Sequence, residues 1–252
     1  MPLIRDTLLV FGRQARLSVR DPAWVIIGLT QPALYLAFLG PLLNNVVIPG
    51  QHSGGSWRTF VPGLLIQLGL FGAGFAGLGI IADVRTGVFE RMRVTPVSRL
   101  ALLFGRVLRD TVLLLVQGIV LLLASWAFGL RVSPVAALVA LLYIAVLAVS
   151  LSSASYALGL VVRREEALAP MLNAVMVPLM LLSGVILPMR LAPHWLDWLS
   201  AATPFRYVID GMRAAFAGDW THHYVWVGFA VSSAMVIACV TLGARAFARE
   251  SA

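Results

Sequence analysis

Six apolar stretches, each long enough to cross a lipid bilayer, constrain this chain more than any other feature of its sequence. A transmembrane helix needs about 20 mainly apolar residues, because the bilayer core offers no water to bond backbone groups. With 60% hydrophobic and 12% charged residues and a mean hydropathy of +0.91, the composition is foreign to soluble domains. We therefore predict one all-α integral membrane domain over residues 1–252. Its six transmembrane helices would cover about 24–46, 60–82, 111–130, 135–162, 168–187 and 224–244.

The nineteen basic residues are all arginine, and the sequence holds no lysine. A phosphate-binding Walker loop uses a lysine to reach the phosphates of ATP, so this chain cannot contain that loop. The net charge is +8, but the arginines lie in the segments between apolar stretches. A nucleic-acid site would instead combine a basic patch with interleaved stacking aromatic residues. Cys239 is the only cysteine, so no intrachain disulfide or cysteine-based metal cluster can form. We predict no cofactor, no metal site and no nucleic-acid partner for this chain.

The arginines also predict which ends of the helices face the cytoplasm. Fourteen arginines lie on the side that carries both termini, and five lie on the other side. The positive-inside rule then places both termini in the cytoplasm. Six of the seven tryptophans fall near the outer membrane surface, as expected for an aromatic belt, and Trp24 falls near the inner one.

The most charged segment, residues 84–109, lies between the second and third apolar stretches, and we call it the elbow. Thr95 followed by Pro96 is typical of a helix start, since the threonine hydroxyl can accept from free backbone N–H groups and the proline loses no hydrogen bond there. We predict two short helices on the inner membrane surface, open to the cytosol. The first would present an apolar side with Phe89 and Met92, and the second would begin at Pro96.

Two further segments have the pattern of amphipathic helices outside the spans. Residues 2–22 combine arginines with apolar residues and suit the surface of an anionic inner leaflet, with a merely solvated tail as the alternative. Residues 188–223 contain two short amphipathic patterns, 193–199 and 204–216, which we interpret as re-entrant or interfacial helices that cap the outer side. In the second, Asp210 is spaced to pair with both Arg206 and Arg213.

The second span is rich in glycine, and Gly69, Ala73 and Gly77 recur every four residues. Small residues at that spacing make a helix face that another helix can approach closely. We predict a helix interface there, with packing inside the chain's own bundle as the simpler alternative. The GxGxxG pattern at residues 72–77 is not a dinucleotide site, because no strand precedes it and a transmembrane stretch contains it.

No Asp, Glu, Lys, Arg or His lies within the six spans as drawn. Carriers coupled to protons or sodium usually keep such a group at mid-membrane, so its absence argues against that class. Membrane enzymes need a base, a nucleophile or a metal, and the concentrated candidates are His194, His222 and His223 on the outer side. Adjacent histidines point to different faces of a helix, which argues against a shared metal site. We therefore interpret these histidines as aromatic side chains seated at the membrane interface. We predict no catalytic residues.

The chain resembles the membrane subunit of type-2 ABC exporters, the group of daunorubicin-resistance permeases and of polysaccharide and lipid exporters. The order and spacing of short motifs within a six-span frame carry the likeness across nearly the whole chain. These motifs comprise Gly87, Glu90, Thr95, Pro96, Val97, Ser98 and Arg99 in the elbow, Ser183, Gly184 and Pro188 after span five, and Pro193, Trp195, Leu196, Pro204, Tyr207, Asp210 and Arg213 outside.

The resemblance implies that the elbow is a coupling helix seated in a separate ABC ATPase subunit, which binds ATP and magnesium. It also implies a second permease copy or a sister permease in the bacterial plasma (inner) membrane. The cargo would be an amphiphilic drug, a lipid or a glycan. In that scheme Glu90, Arg91, Arg93 and Arg99 make the charged contacts, and Phe89 and Met92 fill the apolar part of the groove; the alternative for each is an ordinary solvated or lipid-facing position.

Two other classes of protein remain open from the sequence. A secondary carrier or channel would work without an ATPase, so vesicles that contain this chain alone would transport. A membrane-embedded enzyme would need no second subunit and would lose activity on changes at His194 or His222.

Overall fold

The computed structural model describes residues 2–20, 23–44, 55–87, 98–185, 189, 192–220 and 223–249. Over these residues the chain forms ten α-helices and no strand. In chain order they are α1 (Pro2–Arg20), α2 (Ala23–Asn44), α3 (Gly55–Gly74), α4 (Gly77–Arg85), α5 (Arg99–Ala127), α6 (Pro134–Val162), α7 (Glu165–Leu182), α8 (His194–Ala201), α9 (Pro204–Ala217) and α10 (His223–Arg249).

Five stretches of the described residues are long and apolar enough to cross a membrane, which confirms the predicted all-α membrane fold. They are Trp57–Arg85, Leu100–Ala127, Pro134–Val162, Glu165–Leu182 and His223–Ala248. The predicted first span corresponds to α2, a helix of 22 residues whose described apolar part is Ile26–Phe38. At 1.5 Å per residue α2 is about 33 Å long, enough to span a bilayer, and a sixth crossing by this helix remains our prediction.

The long helices alternate in direction, so their connections collect at two ends of the bundle. We call the end that carries α8 and α9 the cap end, and the end where α4 finishes and α5 begins the elbow end. The central helix is α6, which packs against α3, α4, α5, α9 and α10. Its side chains Tyr143, Ile144 and Leu147 are completely buried.

The second span is not the single helix that its sequence predicted. α3 ends at Gly74, Phe75 and Ala76 form a turn, and α4 begins at Gly77. Glycine destabilises a helix interior by roughly 1 kcal/mol relative to alanine, and this stretch contains several. A contact from α6, described below, stabilises the break.

The third span starts earlier than predicted. We expected a surface helix within the elbow and a separate span from residue 111, but α5 is continuous from Arg99 to Ala127. Ser98 caps it, since its hydroxyl accepts a hydrogen bond from the backbone N–H of Ala101 at 3.2 Å. Residues 99–109 of the elbow therefore belong to the spanning helix. The predicted helix start at Thr95 and Pro96 lies outside the described residues.

The N-terminal helix α1 packs on α5, so residues 2–20 are not a merely solvated tail. Val10 and Gln14 are buried, whereas Leu8 and Leu9 are exposed. A Cβ at Gly105 of α5 would lie 2.6 Å from the Val10 Cγ1 atom, so this glycine permits the close crossing. The face of α1 that points away from α5 carries exposed apolar side chains, and its position on the inner leaflet stays a prediction.

The two short helices between the last two spans form as predicted. Pro204 occupies the first turn of α9, and Gly218 ends the helix with a left-handed φ of 83°. Thr203 does not cap α9 through its side chain; its hydroxyl donates to the Ser200 carbonyl oxygen at 2.7 Å. The predicted apolar face is buried in full: Phe205, Val208, Ile209, Met212 and Phe216.

One of the tryptophans predicted near the outer membrane surface, Trp57, is buried inside the bundle. Trp57 is only 3% exposed and stacks with Phe128 at a ring-centroid distance of 6.5 Å. It also lies against Gly40 of α2, where a Cβ would meet the indole ring at 2.4 Å. Trp57 is therefore a core residue that joins α2, α3 and the end of α5.

Candidate functional site: a polar network at the elbow end

Most of the residues predicted to contact an ATPase lie outside the described part of the chain. The exception is Arg99, whose backbone is described as the first residue of α5. The structure therefore describes how the two arms of the elbow, α4 and α5, join the bundle. The residues outside are Phe89, Glu90, Arg91, Met92, Arg93, Thr95 and Pro96.

The break between α3 and α4 is bridged by the hydroxyl of Ser155 on α6. The backbone N–H of Gly77 donates to the Ser155 Oγ atom at 2.8 Å, and this hydroxyl donates in turn to the Gly74 carbonyl oxygen. Both backbone groups would otherwise be left without a hydrogen bond by the break, which is costly in an apolar interior. One serine side chain thus stabilises the bend in the second span.

The backbones of α4 and α6 touch at this bend because two glycines lie there. A Cβ at Gly77 would lie 2.2 Å from the carbonyl oxygen of Ser155, and one at Gly159 would lie 2.6 Å from the carbonyl oxygen of Gly77. Gly69 faces Leu147 at ordinary contact distance, and Ala73 is fully buried. The Gly69, Ala73 and Gly77 face thus packs inside its own bundle, the simpler of the two readings.

Four ionisable side chains and a tyrosine link α4, α5 and α6 near the same level. The Arg106 Nη2 atom lies 2.5 Å from the Asp83 Oδ2 atom, and the Arg109 Nη1 atom lies 2.6 Å from the Asp110 Oδ1 atom. The hydroxyl of Tyr156 donates to the other oxygen of Asp110. The Arg106–Asp83 pair therefore ties the two arms of the elbow to each other, and the Tyr156–Asp110 bond ties α5 to the central helix α6. We call this set the elbow network.

The elbow network corrects the sequence-based picture of spans free of ionisable groups. Arg106 and Asp110 lie within the apolar stretch Leu100–Ala127, and each is only 4% exposed. A charged group at the centre of a membrane helix costs about 2.5–3.5 kcal/mol on insertion scales, so buried charges there are paired. The sequence argument against a coupled carrier is correspondingly weaker, because buried ionisable groups are present.

At the rim of the elbow end, α4 also contacts the start of α7. The Arg85 Nη2 atom lies 3.5 Å from the Glu166 Oε1 atom, and its Nη1 atom lies 3.9 Å from the Glu165 Oε1 atom. These side chains are exposed, and ion pairs of this kind contribute about 0–1 kcal/mol. The strong restraints on α4 are the buried ones, at Ser155 and Arg106.

A Ser155→Ala substitution is expected to lower the free energy of unfolding by about 1–3 kcal/mol, because the Gly77 N–H and the Gly74 carbonyl lose their shared partner. Chemical denaturation of the purified protein in detergent would measure the loss. The matched control is Ser152→Ala, since Ser152 lies in the same helix, is fully buried, and bonds only to the Ala148 carbonyl of its own helix. Equal effects of the two substitutions would contradict the bridging role.

The predicted outer-cap residues are brought together at the cap end, with the exception of Trp195. Asp210 lies between the two arginines as predicted, 3.8 Å from the Arg206 Nε atom and 4.0 Å from the Arg213 Nη1 atom. Arg206 also pairs with Asp197 of α8 at 2.6 Å. Trp195 is largely exposed and lies outside this cluster of charged side chains.

Backbone carbonyls receive most of the hydrogen bonds that hold the cap. Arg213 donates to the carbonyl oxygens of Thr59 at 3.1 Å and Gly184 at 2.7 Å, which joins α9 to the start of α3 and the end of α7. The Tyr207 hydroxyl donates to the Ala201 carbonyl at 2.9 Å, and the Tyr143 hydroxyl donates to the Val225 carbonyl at 2.8 Å. The Arg213 bonds therefore fasten the cap to α3 and α7, the Tyr207 bond joins its two helices, and the Tyr143 bond joins the neighbouring spans α6 and α10.

We expect Arg213→Ala to lower the midpoint of thermal unfolding and to cost about 1.5–3 kcal/mol, because two carbonyls lose a charged donor. Scanning fluorimetry in detergent would measure the shift. Arg245→Ala removes an exposed arginine at the elbow end and serves as the control. An Arg213→Ala protein that unfolds at the same temperature as Arg245→Ala would refute this anchoring role.

The histidines give no sign of a metal centre within the described residues. His194 and His223 are exposed, and His222 lies outside the described part of the chain. No group of three His, Cys, Asp or Glu side chains comes together among the residues the structure describes. His223 instead lies beside Tyr224, with ring centroids 4.1 Å apart.

Comparison with known proteins identifies relatives of similar length. Residues 5–217 match the family described as "ABC-2 type transporter". The chain is 27% identical over 205 residues to a putative transport permease, ycf38, of Porphyra purpurea, covering 80% of this chain and 70% of that protein. It is 24% identical over 197 residues to the daunorubicin resistance ABC transporter permease protein DrrB1 of Streptomyces coeruleorubidus, covering 77% and 70% respectively.

Proposed function

This chain belongs to the ABC-2 type transporter family as a membrane permease subunit, and we propose that a separate ATP-hydrolysing subunit drives it through the elbow. The absence of lysine supports the proposal, because ATP and magnesium then need a site on another chain. A second permease copy or a sister permease would complete the transport path. The complex would lie in the bacterial inner membrane, with both termini in the cytoplasm.

The observation that carries this proposal is the way the elbow is attached to the bundle. Its first arm, α4, is separated from α3 by the break at Gly74–Gly77 and is fixed to α5 by the Arg106–Asp83 pair. Its second arm is continuous with the whole of α5. A force applied to the elbow would therefore move α4 and α5 together, with the bend at Ser155 as the pivot.

The proposed cargo is an amphiphilic drug, a lipid or a glycan that leaves the cell. The apolar spans suit an amphiphile, and the name of the DrrB1 relative, which refers to daunorubicin resistance, favours a drug of that kind. ATP-driven closure of the partner subunits would push on Glu90, Arg93 and their neighbours and open a path toward the cap end. ATP-dependent uptake of a labelled amphiphile into inside-out vesicles, whose lumen corresponds to the outside of the cell, tests the direction.

Replacement of both Glu90 and Arg93 by alanine is expected to leave ATP hydrolysis by the partner intact while export falls to background. The physical reason is the loss of the charged contacts between the elbow and the ATPase. Expression and membrane insertion should be unchanged. The control replaces by alanine one acidic and one basic side chain that are exposed at the elbow end, Glu166 and Arg245. Normal export by the elbow variant would refute the coupling role.

A direct experiment is to purify an affinity-tagged copy in mild detergent and identify the proteins that accompany it. The proposal expects a Walker-containing ATPase in that complex. The rival class is a secondary carrier. The buried ionisable side chains of Arg106 and Asp110 favour this class, because coupled carriers keep such groups within the membrane. Uphill transport in liposomes by the purified chain alone would establish the carrier and overturn the proposal.

A further inference from the structure

A cleft of about 540 Å³ opens at the cap end, between the connection from α5 to α6 and the last turn of α9. It lies far from the elbow and has no part in the coupling proposed above. Two arginines line it, and none of its lining residues is acidic. Its lining includes Arg58, Trp126, Leu130, Arg131, Phe216 and Ala217.

The two arginines are brought to one side of the cleft by a hydrogen bond between them. The Arg58 Nε atom donates to the backbone carbonyl oxygen of Arg131 at 3.2 Å. That bond uses a single N–H of Arg58 and none of the Arg131 side chain. Both side chains are exposed, and together they place two positive charges at the mouth of the cleft.

The position of the cleft relative to the membrane comes from α5. The apolar stretch Leu100–Ala127 ends one residue after Trp126, a half-exposed tryptophan of the kind found at the boundary between acyl chains and headgroups. Arg131 lies four residues beyond the end of this stretch at Ala127. The apolar wall of the cleft, with Trp126, Leu130 and Phe216, therefore lies at the depth where acyl chains begin, and the arginines lie at the depth of lipid phosphates.

We propose that this cleft binds one anionic phospholipid, with its phosphodiester between Arg58 and Arg131 and the first part of an acyl chain against Trp126. Guanidinium groups bind phosphate oxygens through paired, charge-assisted hydrogen bonds. Two arginines with no acidic residue in the lining favour a lipid with net negative charge over a zwitterionic one. The lipid would connect the α5–α6 turn to the end of α9.

The test is native mass spectrometry of the purified protein with added phosphatidylglycerol, phosphatidylcholine or glycerol 3-phosphate, and the measured quantity is the affinity for the first molecule bound. Phosphatidylglycerol is expected to bind most tightly. Arg131→Gln should weaken its binding about tenfold, because one charge-assisted contact is lost while the backbone acceptor of Arg58 remains. Ala217→Trp, which adds a bulky side chain to the lining of the cleft and retains both arginines, should weaken it as well.

Arg245→Gln, which removes an exposed arginine at the opposite end, should leave the affinity for phosphatidylglycerol unchanged. Equal binding of phosphatidylcholine would overturn the proposal, since it would remove the role of net charge. Equal binding of glycerol 3-phosphate would also overturn it, because the site would then recognise a free anion. Unchanged affinity in both Arg131→Gln and Ala217→Trp would place the lipid elsewhere.

Discussion

An Asp110→Ala protein is expected to lose about 3 kcal/mol of its free energy of unfolding, the lower end of the cost of removing one partner of a buried ion pair, because Arg109 is partly exposed. Asp110 is 4% exposed and contacts both Arg109 and the Tyr156 hydroxyl. Without it, one negative charge remains in the elbow network against the two arginines. Denaturant titration in detergent would measure the stability, and fluorescence size-exclusion chromatography would report whether the protein still folds.

Two milder substitutions keep this prediction testable if Asp110→Ala fails to fold. Tyr156→Phe removes only the hydroxyl and should cost about 1 kcal/mol. Glu166→Ala removes an exposed carboxylate of the same region, whose ion pair with Arg85 should contribute less than about 1 kcal/mol. A loss for Asp110→Ala no larger than that for Glu166→Ala would show that the network does not hold α5 to α6.

Gly77→Ala is expected to destabilise the protein by about 3 kcal/mol, near the upper end of the usual cost of overpacking, and to reduce transport. The added Cβ would lie 2.2 Å from the Ser155 carbonyl oxygen, so α4 must move away from α6. That movement would also break the hydrogen bond from the Gly77 N–H to the Ser155 hydroxyl. Unfolding in detergent and export from reconstituted vesicles are the two measurements.

Gly79→Ala is the matched control, because Gly79 lies in the same short helix and a Cβ there would meet nothing within 4 Å. Alanine in an open helical position is expected to stabilise by roughly 0.5–1 kcal/mol through its higher helix propensity. The two substitutions add the same methyl group two residues apart, with opposite predicted signs. The same sign for both would exclude close packing of α4 on α6 as the cause.

The parts of the fold that the sequence predicts well are those decided by local pattern. Long apolar runs predict the spans because an unpaired backbone in lipid is costly wherever it occurs. The helix α9 follows from Pro204 at its start, Gly218 at its end and an apolar face between them, all of which are local signals. The pairing of Asp210 with its two neighbouring arginines follows from helical spacing alone.

The elbow network could not be predicted in the same way, because its partners come from three helices that are distant in sequence. Asp83 and Arg106 are separated by 23 residues, and Asp110 and Tyr156 by 46. The charged residues before residue 111 indicated a loop. In the structure Arg106 and Asp110 are buried against α4 and α6, so α5 continues through them. Arg106 and Asp110 lie four apart, and this spacing alone would predict a pair between them, whereas Arg106 pairs with Asp83 and Asp110 pairs with Arg109.

The break in the second span shows a different reason for failure. Its glycines indicated a smooth helix face, which is right for Gly77, but the interruption at Phe75–Ala76 depends on a hydroxyl supplied by α6. Ser155 stands among other serines whose hydroxyls bond within their own helix, as at Ser152 and Ser153. The sequence gives no means of telling which serine faces another backbone, and only tertiary packing decides it.

The fastening of α9 through main-chain oxygens has a consequence for how such a protein can diverge. The acceptors at Thr59, Gly184 and Ala201 contribute a group that every amino acid possesses. Substitutions at Thr59 and Ala201 can therefore accumulate without removing these bonds, provided that the new side chains fit, whereas Gly184 has a φ of 78° that favours glycine. Selection need act mainly on the donor residues. Related proteins can therefore differ at most positions and still keep the cap attached to the bundle.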